Sequence, residues 1–198
     1  HECVAHCAIA DTAAEHVRAL LTGLCGRAPA PLKVREVGMR SLADAALVLR
    51  LRNSLLGDDE GWDVRRESIG LWGEDKEALR AMVQPVETLR VHKGDAVKLF
   101  KGLSFVPSFE FVREGSHFEC APAGSPAVQL TLAQLRRAAA PAPAQGEPWV
   151  LEARAPCTVD NYREAAAAVA RVADLLAPDV ELKKPDRRPP QAQKAPPP

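Results

Sequence analysis

Leu103-Ser104-Phe105-Val106-Pro107-Ser108-Phe109-Glu110-Phe111-Val112-Arg113-Glu114-Gly115-Ser116-His117-Phe118-Glu119 is the stretch whose reading decides the fold. On a pleated strand, side chains alternate between faces, so Leu103, Phe105, Phe109 and Phe111 are expected to share one face, with Ser104, Ser108 and Glu110 on the other. Glu114-Gly115-Ser116 offers a turn, and Phe118 begins a returning strand. A row of aromatic side chains has to be covered by another layer or closed into a barrel wall. Phe105, Phe109 and Phe111 are therefore expected in the core of that wall.

Working outward, Leu47, Leu49 and Leu51 extend the same wall, with Arg50 and Arg52 on a wet opposite face. After the glycine-containing acidic loop 53–61, Trp62-Asp63-Val64-Arg65-Arg66 returns as the second arm of a hairpin. Further strands are read at 3–9, 33–40, 85–91, 128–132 and 149–154. Thr12 and Glu15 have the spacing of a capping box, and Val17, Leu20, Leu21 and Leu24 form a helical stripe that Gly26 ends. Residues 74–82 suggest a short helix. Asp95 is placed to cap another that runs to Gly102. The strongest helical period runs from Asp160 through Tyr162, Ala165, Ala166, Val169, Val172, Ala173 and Leu176 to Pro178. These elements predict an α+β fold, predominantly antiparallel β: a barrel-like, many-stranded sheet with three or four packed amphipathic helices. Residues 1–184 form one expected domain with a surface insertion at 138–148, and 185–198 read as a disordered basic, proline-rich tail.

The chain has 198 residues, and its 46% hydrophobic content suffices for a sizeable core. Lysine plus arginine and aspartate plus glutamate stand at 26 each, so no global field draws the molecule to nucleic acid or an anionic membrane. No apolar run approaches the roughly 20 residues a spanning helix needs. The five cysteines, Cys3, Cys7, Cys25, Cys120 and Cys157, are odd in number and scattered, which fits reduced thiols in the cytosol or nucleus.

Catalytic and metal motifs fail on chemistry. Cys3 and Cys7 stand ~13 Å apart on a strand, too far for one tetrahedral zinc, and His6 points to the other face. No Gly-x-Ser-x-Gly elbow and no phosphate-cradling glycine loop occurs. Catalytic, cofactor and metal residues are therefore all expected to be absent. The arginine pairs Arg65-Arg66 and Arg136-Arg137 read as solvated charge. Trp72, between Leu71 and Gly73, is the tryptophan expected to meet a partner, so Trp72 and Leu71 are the candidate partner-binding residues.

Taken in order, these landmarks resemble the Mediator subunit 18 family, a head-module component of the RNA polymerase II coactivator. Ala19-Leu20-Leu21-Thr22-Gly23-Leu24-Cys25 resembles its Arg-Gly-Leu-Cys helix ending, and Leu47-Val48-Leu49-Arg50-Leu51-Arg52 with Trp62-Asp63-Val64-Arg65 resembles its Val-Leu-Arg-Ala-Arg and Trp-His-Leu-Arg strands. Gly102-Leu103-Ser104-Phe105 and Glu110-Phe111-Val112-Arg113-Glu114-Gly115 resemble its Gly-Phe and Glu-Phe-Val-x-x-Gly. Trp149-Val150-Leu151-Glu152-Ala153, the last helix and Leu182-Lys183-Lys184-Pro185-Asp186-Arg187-Arg188 look like its closing strand, helix and Leu-x-Lys-x-Asp-Pro-Lys-Arg end. The insertion at 138–148, the longer proline tail and the region 128–140 depart from the family pattern.

The resemblance implies a nuclear, noncatalytic structural and interaction subunit that couples transcriptional regulators to RNA polymerase II. Its implied partners are the related barrel of subunit 20, the C-terminal helix of subunit 8, other head subunits and, indirectly, the polymerase. It implies no cofactor, no membrane and no direct specific nucleic-acid binding. The family's barrel also resembles that of tunnel-type RNA triphosphatases, which hold metal with Glu-x-Glu pairs on strands. A dyad spacing aims both carboxylates into one lumen, where they can share a divalent cation. This chain has no Glu-x-Glu, and Glu110 with Glu114 ends in the expected turn, which argues against a metal-dependent phosphohydrolase.

Overall fold

The computed structural model describes residues 1–57, 61–68, 70–71, 73–122, 124–137 and 149–185. Trp72, the 138–148 insertion and residues 186–198 of the tail lie outside them. The strands are β1 (Glu2–Ile9), β2 (Ala30–Ser41), β3 (Val48–Ser54), β4 (Trp62–Glu67), β5 (Met82–Gln84), β6 (Val86–Val91), β7 (Phe105–Cys120), β8 (Val128–Arg137) and β9 (Trp149–Pro156). The helices are α1 (Ala14–Cys25), α2 (Glu74–Glu77), α3 (Ala96–Gly102) and α4 (Tyr162–Leu176). All nine strands make one antiparallel sheet in the order β5-β1-β9-β8-β7-β2-β3-β4-β6. Only Pro85 separates the two terminal strands in sequence. The chain just after β4 reaches back to them, Ser68 N–H donating to the Pro85 carbonyl at 3.1 Å and Leu71 N–H to that of Val83 at 2.7 Å. These bonds bring the sheet to a nearly closed barrel.

Helices clothe the outside of this barrel. Outward residues of β1, β7, β8 and β9, among them Cys3, Ala5, Phe118, Leu130, Leu132, Leu151 and Ala153, are buried under Val17 and Leu21 of α1 and Ala165, Ala166, Val169, Val172 and Leu176 of α4. The alanines let α4 approach its sheet closely, as its sequence pattern predicts. A second apolar cluster lies under α3, where Val37, Met39, Leu51 and Val64 meet Ala96, Val97 and Phe100. Asp95 caps α3 as expected, its Oδ1 accepting from the N–H groups of Val97 and Lys98. The capping box at Thr12 does not form. A 3-10 turn, Asp11–Ala13, leads directly into α1, and Asp11 Oδ1 accepts from Trp149 Nε1 at 3.0 Å instead. Only one helical turn forms in 74–82, because Met82 already pairs with Val4 at the closing seam.

Two expectations for the opening stretch are overturned. There is no turn at Glu114-Gly115-Ser116, since β7 continues through it as one sixteen-residue strand. Gly115 serves a close approach of backbones: a Cβ there would collide with the Leu132 carbonyl oxygen and lie 2.8 Å from Ala133 Cα. Nor do the phenylalanines share a face. Phe109 pairs with Gly38 but Pro107 pairs with Met39, so Ser108 is the extra residue of a bulge that inverts the alternation. Phe105 turns outward and packs edge-on against Phe100, with ring centroids 5.5 Å apart. Phe109 and Phe111 turn inward and stack at 5.5 Å. Leu51 is fully buried in the outer cluster and Leu49 packs against it. Leu47 is half-buried just before β3.

Candidate functional site in the barrel lumen

The pleat that sends Leu49 and Leu51 outward sends Arg50 and Arg52 inward, where the register sets them beside Gly38 and Glu36 of β2 and Arg65 and Asp63 of β4. On β7 the same face carries Arg113, and on β9 it carries Glu152 and Arg154. The face expected to be wet is thus the lining of the barrel. Arg154 and Glu67 show how tightly the sheet is curled. Four strands separate β9 from β4 in the sheet order, yet Arg154 Nη1 lies 3.4 Å from Glu67 Oε1.

Five guanidiniums and four carboxylates interlock in this lumen. Glu36 is completely buried and accepts from Arg50 at 2.7 Å and Arg52 at 2.9 Å, with Arg113 at 3.7 Å. Glu67 is contacted by Arg50 at 3.2 Å, Arg65 at 3.1 Å and Arg154. Glu152 accepts from Arg154 at 2.7 Å and Arg113 at 3.1 Å. Glu2 accepts from Arg154 at 2.8 Å and also pairs with Arg65, tying β1 to β4 across the seam. At one end Arg50 lies 5.6 Å from the centroid of the Phe109 ring, a cation–π distance.

Burial and charge compete at every carboxylate here. Burial pushes the Glu36 carboxyl up, but Arg52, Arg50 and Arg113 outweigh it and hold its pKa below the usual value. For Glu67 the same contest, won by Arg154, Arg50, Arg52 and Arg65, brings the carboxyl down to about 2. Glu152 is held well below the carboxylate range despite its burial, by Arg154 and Arg113. Arg52 goes the other way, because burial and the repulsion of Arg154 and Arg113 outweigh its attraction to Glu36. With five cations against four anions, the network repels a further cation. Seven of the eight carboxylate oxygens are engaged by arginine, both of Glu36, Glu67 and Glu152 and Oε2 of Glu2, and no metal-ligand cluster occurs among the described residues. The ion pairs hold nonadjacent strands together.

Of the expected partner residues, Trp72 is outside the described residues. Leu71 is half-buried against the α1/α4 core cluster, with its backbone bonded to β5. The ion network itself went unread in the sequence, though a signal was present. Arg50-x-Arg52, Arg65-x-Glu67 and Glu152-x-Arg154 each place two charges at the dyad spacing that aims both into one lumen.

Fold and lumen together define a tunnel-like antiparallel barrel whose interior is closed by arginine–carboxylate pairs. In sequence, the chain is similar to Mediator of RNA polymerase II transcription subunit 18 of Arabidopsis thaliana, 27% identical over 191 residues, which cover 93% of this chain and 87% of the relative. No protein-family profile matches it. A chain in the Schizosaccharomyces pombe Mediator head module has the same fold, with a TM-score of 0.71 and 16% identity over 93% of this chain and 98% of that one. The fold extends to a Pyrococcus horikoshii protein (TM-score 0.62, 10% identity, 96% and 95% covered). It also extends to an adenylyl cyclase candidate from Hippeastrum with a dominant triphosphatase activity (TM-score 0.55, 9% identity, 95% and 92% covered).

Proposed function

We propose that this protein is a noncatalytic subunit of a Mediator head module and works in the nucleus as an interaction scaffold. The observation that carries this reading is similarity to subunit 18 over 93% of the chain, combined with a lumen whose carboxylates pair with arginine. In this reading the barrel pairs with the related barrel of subunit 20, receives the C-terminal helix of subunit 8, and couples regulators to RNA polymerase II through the other head subunits. Tagged protein purified from nuclear extract should recover subunits 20 and 8. Recovery of no head component would overturn the proposal.

The barrel's likeness to the Hippeastrum triphosphatase motivates a second reading, a metal-dependent phosphohydrolase. Such an enzyme needs carboxylates free to share a divalent cation. Incubation with manganese and inorganic triphosphate should give no phosphate release above a control lacking the protein; turnover that Glu36→Gln abolishes would establish the enzyme instead.

A further inference from the structure

The β2–β3 loop and the end of α3 expose large apolar side chains at one place. Leu99 and Leu103 are 49% and 58% exposed and lie one helical turn apart, joined by the bond from Leu103 N–H to the Leu99 carbonyl. Leu42, 67% exposed, is brought beside them because its N–H donates to the Ser104 carbonyl at 3.0 Å. Ser104 is held at a φ of 64°, and it is the one non-glycine residue with positive φ among the described residues. A β-carbon makes that conformation costly, so the surroundings hold the turn in place rather than its own preference. The opposite face of α3 is committed to the barrel through Ala96, Val97 and Phe100. Its outward leucines are therefore spare.

The surroundings of this patch are cationic. Lys93, Lys98 and Lys101 are exposed around it. Two exposed acids lie in the same segments, Asp95 at the cap of α3 and Asp44, whose Oδ1 accepts from Ala46 N–H within its own loop, so the three lysines exceed them by one. Lys98 approaches Asp95 only at 3.9 Å, with its own side chain 85% exposed.

We infer that this surface docks an acidic segment of another protein, one that carries two or three leucine or phenylalanine side chains among glutamates or aspartates. The leucines offer the apolar contact and the lysines select the charge of the partner. A second copy of this chain is disfavoured, because an isologous contact would set the same lysines against each other. A membrane is disfavoured too: three leucines shared between a two-turn helix, its C-terminal end and a neighbouring loop offer far less apolar area than interfacial helices use. The inference stands on this surface and does not require the head-module reading.

The probe is a fluorescein-labelled peptide of about fifteen residues, glutamate-rich with three leucines, followed by anisotropy on the full chain. Binding should weaken about tenfold in Leu99→Ser/Leu103→Ser, and similarly in Lys98→Glu/Lys101→Glu, while the melting temperature stays that of the parent because all four side chains are exposed. A control peptide with glutamine for glutamate should bind more weakly, and added salt should weaken the acidic peptide further. Equal binding of the two peptides, or parent-like affinity in both variants, would overturn the inference. So would substitution-sensitive binding to phosphatidylserine vesicles in the absence of peptide binding.

Discussion

The two faces of the barrel wall are held by opposite physics. Outside, Leu51, Leu132 and Leu151 are completely buried beneath helices, and the favourable term is apolar area removed from water, about 25 cal/mol per Å2. That term has no direction and tolerates repacking. Inside, Glu36 is just as fully buried, but its stability depends on the arginines that meet it. A charge in that position is costly unless paired, so the lumen is specific where the outside is forgiving.

The sharpest way to break this comparison is to remove one lumen anion. Glu36→Ala leaves Arg50 and Arg52 facing each other without their shared carboxylate, and should cost about 4 kcal/mol in urea denaturation. If it costs less than 1 kcal/mol, water reaches the lumen freely and the contrast fails. Leu51→Ala tests the outer face and should cost about 3 kcal/mol through lost transfer energy and a residual cavity. Repacking by a second apolar substitution nearby should recover part of that loss, whereas Glu36→Ala should be relieved only by replacing an arginine that it leaves unpaired.

These strands show how far periodicity reaches. Leu49 and Leu51 against Arg50 and Arg52 declared two unlike faces of β3, and the five residues 48–52 of that pattern stand in the strand. What alternation cannot say is which face the sheet curls around, because curvature comes from pairings between strands far apart in sequence. Glu152, between Leu151 and Ala153, carried the same ambiguity. Gly115 was misread because turn glycines and close-approach glycines are identical in one dimension; only the neighbouring β8 distinguishes them. The bulge at Ser108 was equally hidden, being defined by the partner strand β2. Helices were more legible, since α4 and the Asp95 cap rest on signals within a single segment.

Acid should dismantle the inside before the outside. Glu67 titrates at about 2 in the folded protein against 4.5 ordinarily, so the unfolded chain takes up the proton first as pH falls. Its contribution, on the order of 3 kcal/mol, is fully present above about pH 4.5 and is lost as pH drops through about 2. Glu36 and Glu152, shifted in the same direction, add to the same decline. Denaturation curves between pH 6 and pH 2, on the order of one unit apart, should show this fall, with Leu51→Ala running parallel to the parent because leucine does not titrate. A parent curve flat to pH 2 would show that the carboxylates gain nothing from their arginines.

The smallest effect lies at the bulge, where one strand contributes to both faces. Phe105 packs on Phe100 in the outer cluster, whereas Phe109 is half-buried, stacked on Phe111 and lying over Gly38 at the lumen end. Phe109→Ala therefore forfeits mainly a stacked pair and the Arg50 contact, about 1 kcal/mol, rather than the 3–5 kcal/mol expected of a phenylalanine in a closed core. Phe105→Ala should cost more, because it opens the contact between α3 and the sheet. If the order were reversed, with Phe109 the costlier loss, the alternation would run unbroken through Ser108 and both rings would face the same side of the wall.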